Sequence, residues 1–271
     1  MNVANFPGTR PPAAAPARAV PRVHLVGAGP GDPELLTLKA ARLLQQAEVV
    51  LHDALVDPGV LALAAGARLI NVGKRSNKAS ASQRFINRLL VTAARRSARV
   101  VRLKGGDPAV FGRLDEEARA LDAAGIAFEV VPGITAASAA AASLKASLTL
   151  RGVARSVRFV TPRVATGETA AGAMSARPDE TLAIYMAGEL LDELAERLRA
   201  EGLAAGTPLV AVENASLPTE QRWEGTLGTA SRWPGAKAGG PVLLLIGDAL
   251  ACALGRAADA ELAEGTLSAA A

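Results

Sequence analysis

From residue 22 onward the chain repeats one unit five times: a short β-branched run, a polar or glycine-bearing turn, then apolar residues at helical spacing. The runs are RVHLVGAG (22–29), AEVVLHDAL (47–55), ARLINVGK (67–74), ARVVRLKGGDP (98–108) and IAFEVVPGIT (126–135). Between them lie PELLTLKAARLLQQA, PGVLALAAG, SASQRFINRLLVTAARRS and GRLDEEARALDAAG, with Gly66 and Gly125 placed to end helices. Strands that alternate with helices require a largely parallel sheet covered on both faces. The fold class is α/β.

A second half follows VVPGITAAS, through a helix expected over 135–146 that bridges the halves. It contains apolar runs at 156–162, 181–188, 207–216 and 240–250, and EGTLGTAS reads as an extra strand and turn. Residues 163–180, rich in Gly, Ala and Thr, read as a mobile loop. The expected organisation is a disordered leader (1–21), an N-terminal α/β domain (22–133), a C-terminal α/β domain (134–254) and a frayed tail (255–271).

Composition narrows the function classes. Aromatic residues are only 3% of the chain, which leaves little surface for stacking bases. The formal charge is +4, but Arg10, Arg18 and Arg22 lie in a leader without acids, so the body is near neutral and gives no argument for nucleic acid. No apolar run reaches the roughly 18 residues of a membrane span. Prolines in the leader oppose an amphipathic targeting helix, and a cytoplasmic protein is expected. The single cysteine, Cys252, excludes internal disulfides and a thiolate metal cluster, and is expected to be a small buried residue. His24 and His52, on apolar strands, are expected to be structural.

In an open parallel sheet, ligands bind where the chain leaves the carboxyl ends of the strands. Here those ends carry Gly27-Ala28-Gly29-Pro30-Gly31-Asp32-Pro33, Asp53, Gly73-Lys74-Arg75, Lys104-Gly105-Gly106-Asp107-Pro108 and Pro132-Gly133-Ile134-Thr135. A dinucleotide loop is the rival reading, since GAGPGD loosely matches the glycine fingerprint and Asp53 stands at the expected distance. A pyrophosphate, however, needs free N–H groups and a positive helix N-terminus. Pro30 and Pro33 delete donors and Asp32 adds negative charge, so the loop suits a cationic or neutral ligand. The second loop, RLKGGDPAVFGR, lets backbone approach a ligand closely and brings a carboxylate toward it; both Asp residues could instead cap turns.

The stretches LVGAGPGDPELLTLKAARLLQQAEVVLHDALV, GKR, VVRLKGGDPAVFGR, VVPGITAASAAA and YMAG resemble the uroporphyrinogen-III C-methyltransferases of the S-adenosylmethionine-dependent tetrapyrrole methylase family, over residues 22 to about 250. The resemblance implies two α/β domains with the active site in the cleft between them, a homodimer, and methylation of uroporphyrinogen III at C2 and C7 to give precorrin-2, which leads to siroheme, cobalamin or haem d1. It implies cofactor contacts at Pro30, Gly105, Gly106, Asp107, Val110, Thr135, Ala136, Met186 and Ala215. It assigns the acid and base to Asp53 and Lys74, substrate handling to Arg113 and Glu116, and tetrapyrrole docking to Arg151.

That chemistry agrees with the charge argument, because the sulfonium of S-adenosylmethionine is a cation. Uroporphyrinogen carries eight carboxylates, for which planar guanidinium groups are apt partners, and Arg75, Arg113, Arg151 and Arg155 are the candidates. Leu114-Asp115, Ser147, Leu150, Thr161-Pro162-Arg163, Ala109 and Ala54 depart from the family pattern, on the tetrapyrrole side. The alternatives are a paralogous precorrin methylase and a non-catalytic protein that binds S-adenosylmethionine or a tetrapyrrole.

Overall fold

The computed structural model describes residues 22–73, 82–162 and 177–255. The leader, the segment with Lys74 and Arg75, most of the expected 163–180 loop and the tail beyond 255 lie outside them.

The first sheet is built from β1 (Val23–Gly27), β2 (Val49–His52), β3 (Arg68–Asn71), β4 (Val100–Lys104) and β5 (Phe128–Val131), in the spatial order β3-β2-β4-β1-β5. All neighbouring pairs are parallel. Alternation along each strand divides the core in two. Val26, Val50, Val101 and Leu103 face α1 (Leu38–Gln46) and α2 (Pro58–Ala62), packing on Ala40, Leu44 and Val60. Val23, Leu25, Leu51 and Val100 face α3 (Gln83–Arg96) and α4 (Leu114–Ala123), packing on Ile86, Leu90 and Leu121. Each fully buried leucine contributes about 1.5–3 kcal/mol of transfer free energy.

Chain connections leave β1 toward β2 in one direction and β4 toward β5 in the other. The first crosses β4 on the α1 face and the second crosses β1 on the α4 face, so both strands deliver their loops to the same carboxyl edge of the sheet, where ligands bind in open parallel sheets. That edge carries the two glycine–aspartate–proline loops.

The second sheet contains β6 (Ser156–Val160), β7 (Glu180–Tyr185), β8 (Pro208–Glu213), β9 (Gln221–Thr226) and β10 (Val242–Ile246), ordered β6-β7-β10-β8-β9. Only β6 and β7 run parallel; β10 is antiparallel to both β7 and β8, and β8 to β9. One face carries α6 (Leu191–Ala200) through Leu191, Leu194, Ala195 and Leu198. The other carries α5 (Ala136–Ser143), whose Ala137 and Ala140 pack on Ala183, Val210 and Leu245.

Several local outcomes differ from the sequence reading. The expected helix after Pro33 splits into a single 3-10 turn at Pro33–Leu35 and a helix that starts only at Leu38, with Thr37 accepting the Ala40 N–H. The extra strand lies at Gln221–Thr226, and the following LGTASR is a 3-10 turn. Cys252 is exposed, not buried, because Leu250 and Ala253 take the inward positions of that last turn. Among the described residues no helix is long and apolar enough to cross a membrane.

Candidate active site

Three glycines weld the ends of β1, β4 and β5. A Cβ on Gly27 would lie 2.6 Å from the Gly106 carbonyl oxygen and from Gly133 Cα, and one on Gly133 would lie 2.3 Å from that same oxygen. Gly29 and Gly106 then form an antiparallel bridge, with N–H···O distances of 3.2 and 2.7 Å. Both loops that carry the expected cofactor contacts are thus one hydrogen-bonded unit. Asp107 braces it from the side: its Oδ1 accepts the Ala109 N–H at 2.8 Å and its Oδ2 the Gly133 N–H at 2.9 Å. Asp32 likewise accepts the Glu34 N–H. Both carboxylates serve the turns.

Contacts between the halves converge on the same place. The Asp32 N–H donates to Ser216 Oγ at 3.2 Å, and Gly31 packs on Leu217 so closely that a Cβ would stand 2.6 Å from it. Tyr185, at the end of β7, shares a 2.5 Å hydrogen bond with Thr135 and accepts the Ala137 N–H at 3.3 Å. Its ring lies 5.1 Å from that of Phe111 and 5.7 Å from that of Phe159. Burial raises the pKa of the Tyr185 hydroxyl despite these two hydrogen bonds. The neighbouring non-glycine residues Phe111, Arg113, Met186, Asn214 and Ser216 all adopt left-handed backbone. Such conformations cost free energy in a non-glycine residue and concentrate at functional loops.

The expected cofactor positions Pro30, Gly105, Gly106, Asp107, Val110, Thr135, Ala136, Met186 and Ala215 all fall on these strand-end loops or the first turn of α5. Met186 is exposed and Ala215 buried. Beside Gly105 and Gly106, unlike Gly27 and Gly133, no heavy atom lies within 4 Å of a would-be Cβ. The bare backbone there faces open space and leaves room for a ligand to approach closely. The geometry disfavours a diphosphate, because the first loop runs into a three-residue 3-10 turn capped by Asp32 rather than an α-helix N-terminus. A cavity of about 560 Å³ lies next to this surface, lined by Asp32, Leu35, Gly133, Thr135, Ser138 and Ser216 among others. Of the expected cofactor positions, Thr135 alone lines it.

Asp53 follows β2 on the sheet face covered by α3 and α4, the face to which Arg102 and Lys104 also point. Arg102 Nη2 donates to Asp53 Oδ1 at 2.5 Å and its Nε to Glu117 Oε1 at 2.8 Å, while Lys104 Nζ donates to Glu117 Oε2 at 2.9 Å. The Arg102 and Lys104 side chains are 3% exposed, that of Glu117 0%, and that of Asp53 33%. Only Asp53 reaches solvent. Burial acts to lower the Arg102 pKa, but Asp53 and Glu117 outweigh it and hold the guanidinium above its usual value. Lys104 is pushed below its usual value, first by burial and then by Arg102.

Arg113 and Glu116 pair with each other on the surface, through contacts of 2.7 and 2.9 Å. That hydrogen bonding holds Glu116 below the usual carboxylate range. Arg151 is exposed on the turn before β6, and Arg155 pairs with Asp179 at 2.8 Å. His24 bonds Glu129 and His52 lies 3.0 Å from the Asp53 carbonyl, both within the framework. Lys74 and Arg75 lie outside the described residues.

Sequence reasoning missed Arg102, Glu117 and Tyr185, and named Lys104 only as part of the second glycine loop. The signal was present in VVRLK: two cations two residues apart share one face of a strand, and on a covered sheet they need buried anions.

Residues 22–231 match the family of Tetrapyrrole (Corrin/Porphyrin) Methylases. A uroporphyrinogen-III C-methyltransferase from Pseudomonas aeruginosa is 46% identical, over 84% of this chain and 93% of its own length. A siroheme synthase from Psychrobacter sp. (strain PRwf-1) is 47% identical over 85% of this chain, which spans only 48% of that longer protein. Among solved structures, the uroporphyrin-III C-methyl transferase from Thermus thermophilus complexed with S-adenyl homocysteine superposes with a TM-score of 0.74. It is 40% identical over 85% of this chain and 99% of its own. Fold, loop architecture and sequence agree, and the chain belongs to the tetrapyrrole (corrin/porphyrin) methylase family.

Proposed function

We propose that the protein transfers methyl groups from S-adenosylmethionine to C2 and C7 of uroporphyrinogen III, giving precorrin-2. The observation that carries this reading is the open backbone at Gly105 and Gly106, on a strand-end loop that the Gly29–Gly106 bridge ties to the first glycine loop. The names of the relatives from Pseudomonas and Thermus support the donor and the acceptor.

Pro30, Gly105, Gly106, Asp107, Val110, Thr135, Ala136, Met186 and Ala215 would hold S-adenosylmethionine, which supplies an electrophilic methyl group on a sulfonium. Gly105 and Gly106 give close approach, and Thr135, fixed by Tyr185, anchors the second half of the site. Positioning supplies much of the rate in such an in-line displacement. Methylation of an electron-rich pyrrole carbon obliges a proton to leave later. Asp53, partly open to solvent and held by Arg102, together with Lys74, forms the acid–base pair. Arg75, Arg113 and Arg151 dock substrate carboxylates, and Glu116 steers Arg113.

Incubation with isotopically labelled S-adenosylmethionine and enzymatically made uroporphyrinogen III tests the reading: a mass gain of two methyl groups is expected. Tight binding of S-adenosylhomocysteine without transfer to any tetrapyrrole would overturn it. We further propose two domains that meet at residues 133/134, a homodimer and a cytoplasmic location, on the family resemblance; light scattering of the purified protein tests the dimer.

A further inference from the structure

We propose that Arg102 is the positioning residue for Asp53: it fixes where the Asp53 carboxylate stands, and the buried pair Glu117–Lys104 keeps the Arg102 fork aimed. The inference deepens the functional reading and rests on it for the role of Asp53, but the placement itself is a statement about this chain alone.

Three observations carry it. First, Asp53 lies beyond the last residue of β2, with a side chain one-third exposed. A carboxylate in such a place has several rotamers open to it unless something holds it. Second, the holding group is itself immobile. Arg102 is 3% exposed, and besides its contacts to Asp53 and Glu117 its Nη1 donates to the Leu103 carbonyl at 3.0 Å. A planar guanidinium bonded through Nε, Nη1 and Nη2 has no freedom to swing, so its Nη2 projects in one direction.

Third, charge is balanced inside the cluster: two cations, Arg102 and Lys104, meet two carboxylates, Glu117 and Asp53. Glu117 is shared between Lys104 and the Arg102 Nε, and Asp53 is the second anion of Arg102, at Nη2. Buried ionic clusters give little net stability relative to apolar packing, and the best-attested reason for keeping one is to specify geometry.

The test combines turnover, affinity and structure in Arg102→Met, Arg102→Lys, Asp53→Asn and the Arg102→Met/Asp53→Asn double variant. Arg102→Met should lower kcat by up to about 100-fold, the scale of a small misplacement of a reacting group. KM for uroporphyrinogen III and affinity for S-adenosylhomocysteine should stay unchanged. Arg102→Lys should restore part of the loss, because an ammonium keeps the charge but not the fork. In the Asp53→Asn background Arg102→Met should cost nothing further, as required if it acts only through that carboxylate. Additive losses, or a kcat loss matched by weaker binding of both ligands, would overturn the proposal.

A crystal structure of Arg102→Met, or of Arg102→Lys if the first does not fold, gives a readout without turnover. A displaced or disordered Asp53 carboxylate supports the proposal, and an unmoved one overturns it. Absence of methyl transfer by the unaltered protein would sink the functional reading instead, and leave the crystal structure to decide this one.

Discussion

Gly133 Cα lies so close to Gly27 that a single added methyl group on Gly27 would stand 2.6 Å from it. Backbone meets backbone here, and no flexible side chain can give way. Gly27→Ala should destabilise the protein by about 1–3 kcal/mol through overpacking. Gly66→Ala is the control: nothing lies within 4 Å of its would-be Cβ, and stability should hold or rise by about 0.4–1 kcal/mol. Thermal melts of the two variants check the pair.

Gly105 has equally open surroundings and no left-handed backbone. Gly105→Ala should therefore melt as the parent does, within the roughly 0.5 kcal/mol of ordinary surface changes. Its affinity for S-adenosylhomocysteine should fall at least tenfold by calorimetry if the backbone there is the cofactor's seat. A loss of stability with intact binding would contradict that placement.

Glu117 is the shared anion of two buried cations. Glu117→Gln keeps the shape and removes the charge, so Arg102 and Lys104 lose their common partner. Breaking a buried ionic cluster in this way costs about 3–5 kcal/mol. Denaturant unfolding should show the midpoint fall while the slope stays constant.

Glu213 organises the loop before β10 by accepting N–H groups of Lys237, Ala238 and Gly240 at 2.9, 3.1 and 2.8 Å. Burial alone would raise its pKa, but these bonds outweigh burial and hold the carboxyl below its usual value. A depressed carboxylate stabilises the fold fully above the unfolded pKa of about 4.3, and that contribution is lost as pH falls through the folded value. Glu213→Gln should flatten the acid limb of a melting-temperature profile below about pH 4.3. An acid limb as steep as the parent's would show that Glu213 does not contribute to it.

The first half was legible because its signals are local. Gly, Pro and Asp punctuation marks each strand end, and β-branched runs such as VVLH leave little choice. Pairing in the second sheet was not legible: VLLLI reads the same whether β10 runs parallel or antiparallel, and its place between β7 and β8 depends on partners far away in sequence. The candidate site divides along the same line. Its glycines announced themselves, whereas Glu117, one of three acids in the first turn of α4, looks like ordinary helix-start charge. Only the fold shows it directed into the sheet against Arg102 and Lys104. Left-handed Phe111 and Arg113 are equally invisible in sequence, because nothing in their side chains favours that conformation.

The bridge between Gly29 and Gly106 joins two segments that the chain itself keeps far apart. A ligand that binds on these loops meets a wall already assembled, so little ordering entropy opposes its arrival on that side. Mutations that raise residence time should therefore be sought away from the interlocked glycines, at exposed Met186 on the loop after β7.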